Sequence, residues 1–131
     1  MAKISEGTFQ SAVAEYLIRH RSILDVQSKL AEAVARVNRA VAKSVTNCGC
    51  IRIQAGRQCF PSDVSMAELR NAMQTHLDGA MCERCREVLE TEIGMALFYL
   101  AATCNLLDLD FGEILRKEHG RAVSLGVFRL T

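Results

Sequence analysis

The stretch "CERCREVLETEIGMALFYLAATCNLL", residues 82–107, decides the fold. Leu89, Ile93, Ala96, Leu100, Cys104 and Leu107 recur at three- and four-residue intervals, the spacing that stacks side chains on one face of an α-helix. No proline interrupts the run, and at 1.5 Å per residue it spans about 39 Å, enough to form the spine of a small domain.

Working outward from that spine, "DFGE" at Asp110–Glu113 places an aspartate three residues before a glutamate. This capping arrangement opens a last helix to about His119. The tail beyond it, "AVSLGVFRLT", is apolar for a chain end and is expected to pack on the bundle or on a partner chain. Upstream, "SMAE" sets Ser65 before Glu68 as a capping box for a helix that runs to about Leu77 and ends at "DG".

Nearer the N-terminus, Phe9, Val13, Tyr16, Leu17 and Ile23 define a first helix from Thr8, its N-cap, to Ile23. Leu30, Val34, Val37 and Val41, with Val26 and Ala33 on the flank, define a second from Leu24 to about Val45. It carries Lys29, Glu32, Arg36, Arg39 and Lys43 on its other face. Between Thr46 and Val64 the helical period fails. "TNCGCIRIQAGRQCFPSDV" holds two glycines and the chain's only proline, and its alternating "CIRIQ" suits an extended segment, so the stretch reads as a long ordered loop with room for a strand pair.

The expected architecture is all-α: one domain over residues 1–131, a bundle of about five helices with a long cysteine-containing loop, and no internal repeat. Composition agrees, with one proline, eight glycines and aromatics at only 5%. Sixteen basic against fifteen acidic residues leave a net charge of +1, which indicates no nucleic acid or anionic lipid as partner. "MAKISEGTFQSAV" has no run of signal-peptide character, and the apolar stretch over residues 93–107 is too short to span a bilayer. These features imply a soluble, cytoplasmic protein with no membrane partner.

Six cysteines in a reducing compartment are a poor disulfide framework, so their spacing matters. Cys48 and Cys50 form C-x-C in the loop, and Cys82 and Cys85 form C-x-x-C where the long helix begins. Two short-spaced pairs suit a tetrahedral ion that takes four thiolates, and Gly49 lets the first turn fold tightly. At the helix start, free amides and the dipole favour thiolate over thiol. The competing readings are small buried hydrophobes and a redox dithiol. Asn47, Glu83, Arg84 and Arg86 make the surroundings too polar for the first, and the absence of a βαβ pattern disfavours the second. Zinc leads among the ions, with an iron-sulfur cluster as the alternative, since four thiolates serve both. Cys104 lies on the apolar stripe and reads as core. Cys59 is a candidate spare ligand, and His76 a candidate substitute for one cysteine.

"ETEIGMALFYLAATCNLLDLDFGEIL", Glu90–Leu115, resembles the second half of the MazG-like, all-α nucleoside triphosphate pyrophosphohydrolases. Glu92, Leu97, Tyr99, Leu100, Leu107, Leu109 and Asp110 match that layout, while "QSKLAEAVARVNRAV" aligns loosely and the cysteine loop falls outside the family pattern. The resemblance implies a helical bundle, a homodimer, a nucleotide ligand and catalysis through Mg²⁺ ions held by four or more acids. Here the acidic set is incomplete. Glu92 and Glu32 are the matching acids, but Met95, Ala31 and Ala35 stand where other acids belong, and Glu87 and Glu90 lie off the Glu92 face.

Magnesium is therefore expected only if catalysis survives, with Arg36, Arg39 and Lys43 as candidate phosphate contacts. The everyday alternative for Glu32 is a surface ion pair with Lys29 and Arg36. The expected function is a nucleotide pyrophosphohydrolase relative with lost or altered catalysis. The alternative is a non-catalytic metal- or cluster-binding module that senses redox state or supports an interaction.

Overall fold

The computed structural model describes residues 3–125. Among them are five α-helices and one two-stranded sheet: α1 (Glu6–Tyr16), α2 (Ile23–Lys43), β1 (Ile51–Ile53), α3 (Met66–Ala72), β2 (Leu77–Gly79), α4 (Glu83–Leu106) and α5 (Phe111–Leu125). The mostly helical architecture is the one expected. α2 and α4 pack against each other as the main pair, α1 lies against α4 and touches α5, and the 49–82 excursion leaves and rejoins one end of the pair. No single helix among the described residues is long and apolar enough to cross a membrane.

Local chemistry places most ends. Ser22 caps α2, its hydroxyl accepting from Leu24 N, and Asp25 and Lys43 complement the helix dipole at the two ends. The capping box at α3 forms as expected: Ser65 Oγ accepts from Glu68 N at 3.2 Å and Glu68 Oε2 from Ser65 N at 3.3 Å. Asp110 Oδ1 accepts from Glu113 N at 2.9 Å and so starts α5. α4 ends where Asp108 turns left-handed at φ 55° and Leu109 N reaches back to Cys104 O at 2.8 Å, a Schellman-type termination with aspartate in the position usually given to glycine.

Several boundaries differ from the sequence reading. α1 begins three residues earlier than a Thr8 cap would allow, because the Ser5 hydroxyl accepts from Thr8 N at 3.1 Å. It ends at Tyr16 rather than Ile23, where Leu17 turns extended and the chain must reverse into the Ser22 cap. α3 stops at Ala72 instead of Leu77, since residues 77–79 are drawn into antiparallel pairing with β1 in the register Ile51↔Gly79, Arg52↔Asp78, Ile53↔Leu77. The expected extended segment is thus real, but its partner lies beyond the loop. α5 continues past His119 to Leu125, where Val123 and Leu125 remain exposed. The rest of the apolar tail, residues 126–131, lies outside the described residues.

The core joins Val13 and Leu17 of the α1 end to Val26 and Ala33 of α2 and to Tyr99, Ala101 and Ala102 of α4, with Phe9, Leu30, Ala96, Phe98 and Phe111 packed against them. Burying Val13 and Val26 completely is worth about 1.5–3 kcal/mol each. The expected stripe of α4 is only partly inward. Cys104 is buried, as expected of a core thiol, but Ile93, Leu100 and Leu107 are 43%, 42% and 55% exposed. α2 is the main neighbour of α4, and one principal neighbour shields a narrower arc than this apolar stripe spans.

Polar clamps fix the other end. Gln10 of α1 donates to Leu109 O at 2.8 Å, accepts from Phe111 N at 2.8 Å, and its carbonyl accepts from Asn105 at 3.1 Å. Ala102 has no exposed surface where α4 meets the core. Ala102→Leu is therefore expected to overpack this contact and lower stability by about 1–3 kcal/mol, read as a drop in the urea midpoint.

Candidate metal centre

The chain builds this centre from both ends of the excursion. After α2, residues Ser44–Cys48 form a π-helical turn closed by Gly49 in the left-handed region at φ 78°. Ser44 anchors it: the side chain is buried, its hydroxyl donates to Ala40 O at 2.9 Å, and its carbonyl accepts from Gly49 N at 2.9 Å. Cys48 ends this turn and Cys50 follows Gly49, with the Cys50 thiol 3.8 Å from the Ser44 carbonyl. Strand pairing then delivers the second pair, because Ile51 sits opposite Gly79 and Cys82 follows three residues later as the N-cap of α4.

The four sulfurs of Cys48, Cys50, Cys82 and Cys85 all lie within 4.8 Å of one another, and Cys48 and Cys82 stand 3.8 Å apart. A tetrahedral ion bound at about 2.3 Å requires sulfur pairs about 3.8 Å apart, so the quartet fits one such ion after inward shifts of an ångström or less. Among the described residues it is the one group of three or more His, Cys, Asp or Glu side chains that converges in this way. These four residues, expected as ligands from spacing, are brought together by the fold.

Charge is distributed unevenly within the quartet. Cys82 Sγ accepts the amide of Cys85 at 3.4 Å, and this N–H, followed by the Cys85 thiol, lowers the Cys82 thiol to about 7. At Cys85 the contact with Ser44 pulls the thiol down, but the Cys82 sulfur, burial and the Cys50 and Cys48 sulfurs outweigh it and raise it to about 12. The Cys82 sulfur likewise raises Cys48. The helix N-terminus thus holds one thiolate ready, while Cys48 and Cys85 keep protons that an ion must displace.

Neither spare ligand joins the quartet. Cys59 is exposed in the far part of the excursion, beyond Gln58, whose side chain is tied to the Gln74 backbone at 2.8 and 3.1 Å. His76, left-handed at φ 59°, faces Gln58 at 3.4 Å instead of the sulfurs.

The carboxylates Glu32 and Glu92 do share a cavity, of about 240 Å³, between α2 and α4, with Lys29, Arg36, Met95 and Tyr99. Glu32 is already engaged: Arg36 donates at 3.0 and 3.3 Å and Lys29 at 3.4 Å, and these contacts, Arg36 first, hold its carboxyl below the usual range. Arg36 is therefore turned to an acid, and Arg39 is exposed without an ion pair among the described residues. Lys43 lines a second cavity, of about 350 Å³, with Ser44, Asn47, Cys48, Arg84, Cys85 and Val88. The two cavities follow each other along the α2–α4 seam, as the seven-residue spacing of Cys85 and Glu92 requires.

Two contributors escaped the sequence reading. Ser44 carries no motif, and Gly79 reads as the end of a helix. In the fold Gly79 is left-handed at φ 92°, and a Cβ there would stand 2.7 Å from the Cys50 carbonyl oxygen. The "DG" dipeptide was the available signal. Comparison of the chain with protein-family models, with curated proteins and with solved structures finds no match.

Gly79→Ala must push β2 from Cys50, so it is expected to weaken divalent-ion affinity by tenfold or more in a competitive chelator titration, while the helical circular dichroism signal persists. Protons also compete with the ion. Affinity should rise with pH from 6 to 8, with a steeper slope below about pH 7, where Cys82 too must lose a proton. An affinity that does not change with pH would contradict thiolate ligation.

Proposed function

We propose that the chain is a zinc-stapled helical protein, MazG-like in architecture, in which the hydrolytic chemistry of the pyrophosphohydrolases is lost or altered. The observation that carries this reading is the convergence of four sulfurs within 4.8 Å. It favours a single ion over an iron-sulfur cluster, because bridging sulfides hold the thiolates of different irons farther apart than one shared shell allows. A divalent d¹⁰ ion accepts four thiolates in tetrahedral geometry without redox chemistry, and a closed four-sulfur shell is the mark of a structural site. Reduced thiolates call for a reducing compartment, in line with a cytoplasmic location.

The nucleotide side of the reading rests on Glu32 and Glu92 lining one cavity between the two main helices. Their arrangement supports loss of hydrolysis more than its retention. Glu32 is occupied by two cations, and Met95 lines the cavity where the resemblance expects an acid. Two carboxylates, one of them ion-paired, are too few to hold two magnesium ions against water. A homodimer is part of the proposal. Ile93, Leu97 and Leu100 expose one edge of α4 and Val34 an edge of α2, and a second copy would complete a four-helix arrangement over them.

Elemental analysis of protein purified without added metal should find one zinc per chain, and iron with acid-labile sulfide would replace this reading by the cluster alternative. A panel of nucleoside triphosphates with Mg²⁺ or Mn²⁺ is expected to release no pyrophosphate. Turnover abolished by Glu92→Gln would instead restore the enzyme reading. Light scattering should give a mass of twice the chain.

A further inference from the structure

Resting on the four-thiolate reading above, we propose that Cys48 is a thiol–disulfide exchange site for small anionic disulfides, with Cys82 as the resolving thiol. Cys48 is the exposed member of the quartet, whereas Cys50, Cys82 and Cys85 are half-buried. The cavity of about 350 Å³ is lined by Cys48 and Cys85 of the centre, of which Cys48 alone is exposed, and it is large enough for a small peptide-like reagent.

The walls of that cavity select by charge. Lys43 and Arg84 line it, and neither forms an ion pair among the described residues. Four thiolates around one divalent ion leave a net negative charge, which repels an anionic reagent from the sulfur it must reach. Two free cations at the entrance reverse that sign. They do not attract a neutral disulfide, so the cavity discriminates between reagents of equal sulfur chemistry and different charge.

The exchange balances without a further redox partner. Cys48 Sγ attacks one sulfur of the reagent disulfide, the reagent's S–S bond breaks, and its departing thiolate takes a proton from water. Cys82 Sγ, 3.8 Å from Cys48 Sγ, then attacks the Cys48 sulfur of the mixed disulfide and expels the second reagent thiolate. Two protein thiolates are oxidised to one disulfide and the reagent is reduced to two thiols. Closing the sulfur pair to a bond of about 2.05 Å needs less than 2 Å of movement. Cys50 and Cys85 remain, and two thiolates are too few to retain the ion.

The test uses the full chain as purified with its metal, at low ionic strength, with a chromogenic chelator reporting ion release. Oxidised glutathione supplies the anionic disulfide and 2-hydroxyethyl disulfide the neutral one, each rate divided by that for a free thiol in solution. The normalised rate is expected to be roughly tenfold higher for the anionic reagent and to lose that advantage in high salt. In Lys43→Gln/Arg84→Gln, both surface positions, the ratio of the anionic to the neutral normalised rate should fall to about one.

Peptide mapping should find glutathione first on Cys48 and then a Cys48–Cys82 disulfide. Equal normalised rates, a preference that survives the double variant, or a first disulfide lacking Cys48 would overturn the proposal. Protein that purifies without metal would defeat the zinc reading alone, since thiol counting and mapping still follow the exchange in metal-free chain.

Discussion

Four sulfur atoms from two parts of the chain, Cys48 and Cys50 on one side and Cys82 and Cys85 on the other, meet at one end of the α2–α4 pair, and the rest of the excursion depends on that meeting. Closing a loop across the 34-residue separation of Cys48 and Cys82 costs about 3 kcal/mol of chain entropy beyond a constant. The three-residue strand pair inside the loop cannot offset this alone, for an isolated two-stranded ribbon is marginal in water. A structural zinc site contributes about 10–16 kcal/mol in small peptides, so four thiolates on one ion would decide the matter. Ser44 and Gly79 are the preconditions: one holds the turn that aims the first pair, and the other lets β2 approach the Cys50 carbonyl closely enough to present the second.

The same junction organises the helices on either side of it. Cys82 is at once a candidate ligand and the N-cap of the 24-residue α4, so the charge on its sulfur also satisfies an amide that begins the spine. α2 ends in the π-helical turn that carries the first pair. Order at the centre and order at the facing ends of the two principal helices are therefore the same event, and the cavities along their seam, one against the sulfurs and one around Glu32 and Glu92, inherit their shape from it.

Much of this was legible in the sequence, for identifiable reasons. Short-range patterns carried well. The unbroken period of residues 82–107, the Ser65–Glu68 box and the Asp110 cap each depend on neighbours within four positions. The quartet was legible because paired cysteines at chelating spacing advertise themselves. What failed was long-range or inverted in polarity. Nothing local announces that Leu77–Gly79 pairs with Ile51–Ile53, that Gln10 spans the α4–α5 corner, or that Ile93 and Leu100 keep an open side. Glu32 and Glu92 line one cavity between α2 and α4. The pull of Arg36 and Lys29 on Glu32 is as much a property of the sequence as of the fold, and it suffices to occupy that carboxylate.

The corner between α4 and α5 is bent by 111°. Gln10, a residue of neither helix, saturates the backbone on both sides of the bend, taking the amide of Phe111 and giving its own to the carbonyl of Leu109. The direction in which the last helix leaves the molecule is consequently dictated from outside by α1. Anything that lifts the N-terminal helix away strips the elbow of its splint, and the orientation of the C-terminal arm becomes a report on whether the N-terminal segment is docked.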